Sequence, residues 1–199
     1  MLVALFGYIL GSLPLGFLIT RVRRGVDLRR VGSGNVGAAN VYRSAGRTLG
    51  ITVMLVDVGK GAFSVCLARS IFGASSDHAA TIAGLSAIVG HVYPLWLRFV
   101  GGKGVAVAFG VFTVLAPVAT AVAVIVFVLT TATTRYVSLG SVLATITLPA
   151  VEWSRSGPDP ITLVALAAAA LILFRHRGNL ARIARGTERR LGQRVAVSS

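Results

Sequence analysis

An all-α integral membrane protein with seven transmembrane helices is expected from three features of the 199-residue sequence. Apolar residues make up 55% of the chain and the mean hydropathy is +0.80. Charged residues make up 13%, against roughly 25% in an ordinary soluble domain. The charge is also segregated: seven arginines fall in residues 21–47 and seven more in 175–194, with nearly uncharged apolar runs between. Arginine bias of this kind marks the cytoplasmic segments of a membrane protein. It places the N-terminus outside and the C-terminus in the cytoplasm, in one domain over residues 1–199.

The formal net charge of +14 raises nucleic acid as a partner. A nucleic-acid surface would interleave its cations with aromatics or carry a known module, and neither is found, so no nucleic acid is expected. The single cysteine, Cys66, excludes an intramolecular disulfide. Histidines and carboxylates never cluster at ligand spacing, so no metal site and no cofactor is expected.

A spanning helix needs about 20 mostly apolar residues. Residues 1–20 supply the first, interrupted by GSLPLG at 11–16, where Pro14 and the flanking glycines are expected either to bend it or to let another segment pack closely. Its arginines follow the apolar run and no small-residue cleavage pattern is present, so it reads as a permanent helix and not a secretory signal. Residues 21–50 are too polar to span, and a loop of this length points to function. The second span, 49–72, holds Asp57 and Lys60, an i, i+3 pair that serves either function or a structural tie to the loop. FGASSDHAA, 72–80, is an outside loop with a solvated His78; the third span, 80–97, ends at His91 and Pro94.

Residues 105–134 form one apolar run of 30, and a single helix there would put Arg135 outside. Breaking the run at Pro117 gives two short spans or a re-entrant hairpin and returns Arg135 to the cytoplasm. Spans at 138–153 and 161–174 follow, joined by the turn EWSRSGPDP; the basic tail stays inside and its last residues are expected to be disordered.

Three cytoplasmic segments therefore carry groups suited to anions. GSGNVGAANVYR offers Ser33, Asn35, Asn40 and Arg43. The central loop offers Gly101, Gly102, Lys103 and Gly104, whose amides and single cation suit a phosphate at a helix N-terminus, although the spacing is not that of a Walker loop. HRGN offers His176 and Asn179, three residues apart and so on one side of a helical turn. Taken singly, each has a plainer reading: arginines set topology, asparagines cap helices, and a glycine-rich turn need bind nothing.

The ordered blocks GSLPLGFLI, GSGNVGAANVYRSAG, DVGKG, GHVYPLWLRFVGGKGVA and FRHRGNLARIARGTE, from residue 7 to about 188, closely resemble the PlsY family. These are bacterial seven-helix membrane enzymes that acylate glycerol 3-phosphate from an acyl phosphate at the cytoplasmic face of the inner membrane. The resemblance implies catalytic roles for Ser33, Arg43, His176 and Asn179. It implies substrate contacts for Asn35, Asn40, Gly101, Gly102, Lys103, Gly104 and, through RYVSLGS, Ser141, with Glu188 structural. Glycerol 3-phosphate, a long-chain acyl phosphate and membrane lipids are the implied partners; oligomeric state, chain length and product exit are not readable. The base is either His176 or an oxygen of the substrate phosphate.

Two rival classes are weaker. A transporter for organic phosphates would show an internal two-fold repeat, which is not found. A soluble-type glycerophosphate acyltransferase would show a histidine followed five residues later by aspartate, and none of the three histidines is.

Overall fold

The computed structural model describes residues 1–73 and 77–193. Nine α-helices make up the described residues: α1 Leu2–Ser12, α2 Leu15–Arg24, α3 Ala38–Ser44, α4 Arg47–Phe72, α5 Asp77–Val92, α6 Val105–Leu115, α7 Pro117–Thr134, α8 Val137–Ser156 and α9 Pro160–Ala184. One 3-10 turn, Leu95–Leu97, follows α5, and no strand occurs among the described residues. Six stretches are long and apolar enough to cross a membrane: Leu2–Arg24, Arg47–Phe72, Asp77–Leu97, Pro117–Thr134, Val137–Ser156 and Pro160–Ala184. The apolar α6 is a seventh run but has only 11 residues. At 1.5 Å per residue it reaches about half of a ~30 Å hydrocarbon core.

The interruption expected at 11–16 is present, because Pro14 has no N–H to continue the ladder and α2 restarts at Leu15. The glycines there do admit close neighbours. A Cβ on Gly7 or Gly11 would collide with the backbone of Ala83 or Ala87, so α1 lies directly on α5 and parallel to it. Glycines also set the α4–α6 contact: a Cβ on Gly61 would meet the Val107 carbonyl, and one on Gly110 the Val58 carbonyl. Lipid is as apolar as leucine, so close approach of small residues holds these helices together rather than exclusion from water. The main core lies between α4, α5, α6, α8 and α9, with Val65, Ala87, Ile88, Val107, Val111, Phe112, Ala168 and Ile172 buried in it. α7 adds Ala119 and Ala123 to this core on one side and exposes Val118, Ile125, Val128 and Leu129 on the other.

Residues 105–134 divide at Ala116–Pro117 as expected, with Pro117 opening α7 where a missing N–H costs nothing. The run doubles back on itself. Lys103, before α6, bonds Asn179, and Arg135, after α7, exchanges hydrogen bonds with Leu191, so both ends of the run meet the same C-terminal segment.

Other boundaries move. α5 begins at Asp77, so exposed His78 lies in its first turn and not in a loop. α8 extends to 137–156, and α9 continues to Ala184, so HRGN sits inside a helix and not beyond one. The expected disorder at the chain end, and the centre of the 72–80 loop, lie outside the described residues.

A second, smaller core holds the polar loop 25–46 in place. Phe17, Leu28, Val36, Val41, Ala45, Val53 and Leu97 are all buried in it, pinning the loop and α3 against α2, α4 and the 3-10 turn. That puts the loop beside residues 98–104.

Candidate active site

The glycine loop is held from several sides. The N–H groups of Gly101 and Gly102 donate to the carbonyls of Val92 and His91, at 3.1 Å each. The Gly101 carbonyl accepts from Asn35 Nδ2 at 3.3 Å and from Arg175 Nη2 at 3.4 Å. A Cβ on Gly101 would collide with the His91 carbonyl and one on Gly102 with the His91 ring, so both positions need glycine for space. Gly104 needs it for conformation, with φ of +91° at the N-cap of α6. These contacts correct the expectation that the amides of Gly101 and Gly102 face an anion, since a donor committed to a carbonyl is not free. Among the described residues, the amides of Lys103 and Gly104 meet no backbone acceptor. The first α6 bond runs from Ala108 to Gly104, leaving the earlier helical amides as unpaired donors typical of a helix start.

Lys103 Nζ donates to Asn179 Oδ1. The Asn179 amide in turn donates to Glu188 Oε1 at 2.6 Å. Glu188 also accepts from Ser138 Oγ at 2.8 Å and from Arg182 Nε at 2.7 Å. Burial alone raises the Glu188 carboxyl, but the donors from Asn179, Ser138 and Arg182 outweigh it and hold the group below its ordinary range. Burial pushes the Lys103 ammonium down from 10.5 to about 8, against the pull of Glu188, and the charges of Arg182, Arg43 and Arg175 add to the fall. Arg43 is likewise pushed down by burial and by Arg189 and Arg182. Its Nε is buried without a partner among the described residues. Among the described residues, Glu188 is thus the one carboxylate acting on Lys103 and Arg43, in a neighbourhood of at least five cations, and such a site is incomplete without anions.

His176 is buried on α9, one turn before Asn179, as the spacing predicted. Its Nδ1 lies 2.8 Å from the Ile172 carbonyl, which can only accept, so Nδ1 carries a proton and the neutral ring keeps its lone pair on Nε2. Ser33 is exposed on the polar loop, and the neighbouring Gly32 carbonyl accepts from Arg189 Nη2 at 3.1 Å, bringing that loop to the C-terminal segment.

Two residues expected to contact substrate, Asn40 and Ser141, are buried and hydrogen-bonded within the protein. Asn40 is 2% exposed and its amide is spent on loop backbone, donating to Leu28 O at 3.3 Å and Val31 O at 3.1 Å and accepting from Ser33 N at 3.0 Å. Its amide thereby shapes the loop. Ser141 is 5% exposed and donates to Val137 O within its own helix, while Ser138, one turn earlier, is the serine that meets Glu188. Ser138, Arg175, Arg182 and Arg189 were not singled out from the sequence, and Glu188 only as structural. One signal was available: Glu188 is the only acidic residue after Asp159, set in an arginine-rich tail.

Known proteins resemble the chain over most of its length. Residues 1–186 match the family model described as glycerol-3-phosphate acyltransferase. The glycerol-3-phosphate acyltransferase of Myxococcus xanthus (strain DK1622) is 49% identical over 189 residues, covering 94% of this chain and 96% of that protein. The protein of the same description from Synechococcus sp. (strain CC9902) is 43% identical over 195 residues, covering 98% and 96%. Among solved structures, PlsY, an integral membrane glycerol 3-phosphate acyltransferase, superposes in its glycerol 3-phosphate form with a TM-score of 0.89 at 40% identity, covering 96% of this chain and 94% of that one. Its lysophosphatidic acid form gives 0.87 at 38% identity. With a family model matched over residues 1–186, relatives 43–49% identical over nearly their whole length, and the fold shared with PlsY, the chain belongs to the glycerol-3-phosphate acyltransferase family of PlsY type.

Proposed function

We propose that the chain, as a single domain over residues 1–199, moves a long-chain acyl group from an acyl phosphate to glycerol 3-phosphate, giving lysophosphatidic acid and inorganic phosphate. The observation that carries this reading is the charge imbalance of the site. Lys103, Arg43, Arg175, Arg182 and Arg189 surround one carboxylate, Glu188, which is already committed to Asn179, Ser138 and Arg182. Two phosphate-bearing reactants supply the missing negative charge, and holding both fixes them for attack.

In the proposed reaction the terminal hydroxyl of glycerol 3-phosphate attacks the acyl carbonyl carbon. The new C–O bond forms as the bond from that carbon to the phosphate oxygen breaks, and the electron pair leaves with phosphate. His176 Nε2 accepts the hydrogen bond of the attacking hydroxyl and aims it, and the proton ends on a phosphate oxygen. Phosphate is a good leaving group, so no strong acid is needed. Lys103, with the free amides at the start of α6, takes one phosphate group; Arg43 and the Ser33 loop take the other. Asn35 and the glycines hold the loop that carries Lys103. The exposed apolar helix faces give the acyl chain a groove, worth about 0.8 kcal/mol per buried methylene.

We also infer that α6 completes a seventh pass and that the glycine-loop end lies at the cytoplasmic face of the bacterial inner membrane, with the N-terminus outside. The support is the alternation of the helical runs and the arginines gathered at that end. The function is tested with purified protein, labelled glycerol 3-phosphate, and acyl phosphate or acyl thioester as donor in parallel. Phosphate release and lysophosphatidic acid with acyl phosphate alone are expected; transfer from the thioester, or from neither, contradicts the reading.

A further inference from the structure

We propose that Asp57, Lys60 and His91 are positioning residues for the acyl transfer: they form a buried, charge-locked seat that fixes the glycine loop and, through it, Lys103. The inference rests on the function proposed above.

The three side chains come from two helices. Lys60 Nζ lies 3.0 Å from Asp57 Oδ1, one turn away on α4, and 2.9 Å from His91 Nδ1 at the end of α5. It also donates to the Leu13 carbonyl, at 3.3 Å, in the break between α1 and α2. An ammonium has three donors, and all three find an acceptor here. Lys60 cannot accept, so His91 Nδ1 must, and the ring proton lies on Nε2. The arrangement therefore fixes both the tautomer and the orientation of the ring.

What the ring does with that orientation is visible at its far end. Nε2 is the ring atom nearest to Gly102, close enough that a Cβ there would overlap it. The backbone of the same turn receives the Gly101 and Gly102 N–H groups through Val92 O and His91 O. The next residue is Lys103, already bound to Asn179. A displacement of the His91 ring thus passes to Gly102 and from there to the cation at the site.

Packing alone does not call for charges at this place. Burying an ion pair costs desolvation that a well-packed apolar set of similar volume avoids. Side chains of 4% and 8% exposure pay that cost in full. What charges add is direction: an apolar side chain in place of His91 would fill the space without fixing where its end points.

The test is a steady-state assay of acyl transfer in detergent with thermal melting alongside. It compares wild type, the double variant Asp57→Asn with Lys60→Met, His91→Asn and His91→Gln. The double variant leaves no unpaired charge, and its melting temperature is expected to stay near that of wild type. Its kcat/KM for glycerol 3-phosphate is expected to fall at least tenfold, with KM for acyl phosphate nearly unchanged. His91→Asn keeps an acceptor for Lys60 but removes the end that touches Gly102, so it loses activity while folded. His91→Gln reaches further and recovers part of that loss. A folded double variant or His91→Asn within twofold of wild type overturns the inference alone, as does activity that merely follows the melting temperature. Wild-type protein without transfer activity overturns the proposed function and this inference with it.

Discussion

Two charged clusters lie on either side of the glycine loop and differ in how their charges are balanced. Around Asp57, Lys60 and His91 every donor of the Lys60 ammonium meets an acceptor inside the protein, and the carboxylate and ammonium neutralise one another. Around Glu188 the cations outnumber the carboxylate, and Arg43 Nε is left buried without a partner among the described residues. A balanced cluster needs nothing further and stabilises position; an unbalanced one is costly until an anion arrives. On the proposed reading, the same residue types serve placement on one side of the loop and binding on the other.

The largest contrast is expected from the two lysines. Lys103→Met removes the charge proposed to hold a substrate phosphate and should lower kcat/KM by about 10³-fold, in the range of a lost oxyanion donor. It should not lower the melting temperature. The sign follows from linkage: a lysine held at about 8 in the folded protein, against 10.5 as its ordinary value, costs stability fully below pH 8. That cost fades as the pH rises toward 10.5, so deleting the charge removes a cost. Lys60→Met alone should do the reverse for stability, leaving Asp57 unpaired in a buried site and losing about 3–5 kcal/mol, read by thermal or denaturant unfolding in detergent.

A smaller effect separates the clusters by pH. Affinity for glycerol 3-phosphate, measured by calorimetry, should weaken as pH rises through about 8, because free Lys103 loses its proton there. Lys103→Arg should bind with little change across the same interval, since its guanidinium stays charged. His176→Ala should cost about 10–100-fold in kcat, the size of a lost positioning contact rather than of a lost essential base. Smallest is the serine pair on α8. Ser138→Ala removes one of three donors to Glu188 and should lower activity several-fold, whereas Ser141→Ala breaks only a bond within its helix and should do less.

Much of this was legible in the sequence, for identifiable reasons. Pro14 and Pro117 announce their helix breaks because a missing N–H acts locally. Asp57 and Lys60 read as a pair because three residues make nearly one helical turn. His176 and Asn179 share a side for the same reason, even though the helix carrying them runs ten residues past the expected end. What stayed hidden depends on direction across large separations. His91 reaches Lys60 over 31 residues, and no local pattern reports that. Asn40 carries the right chemistry for a substrate contact, but its amide is consumed by loop backbone at positions 28, 31 and 33. Ser138 and Ser141 stand one turn apart on α8, and which of them meets Glu188 depends on where the C-terminal segment folds back.

The central claim, that the unbalanced cluster is built for a phosphate-bearing substrate, is tested most directly by titrating glycerol 3-phosphate and glycerol into wild type and Lys103→Met at pH 7. Wild type is expected to bind glycerol 3-phosphate but not glycerol, and the variant, melting no lower than wild type, to bind glycerol 3-phosphate at least tenfold more weakly. Equal binding of glycerol 3-phosphate by both proteins would contradict the claim.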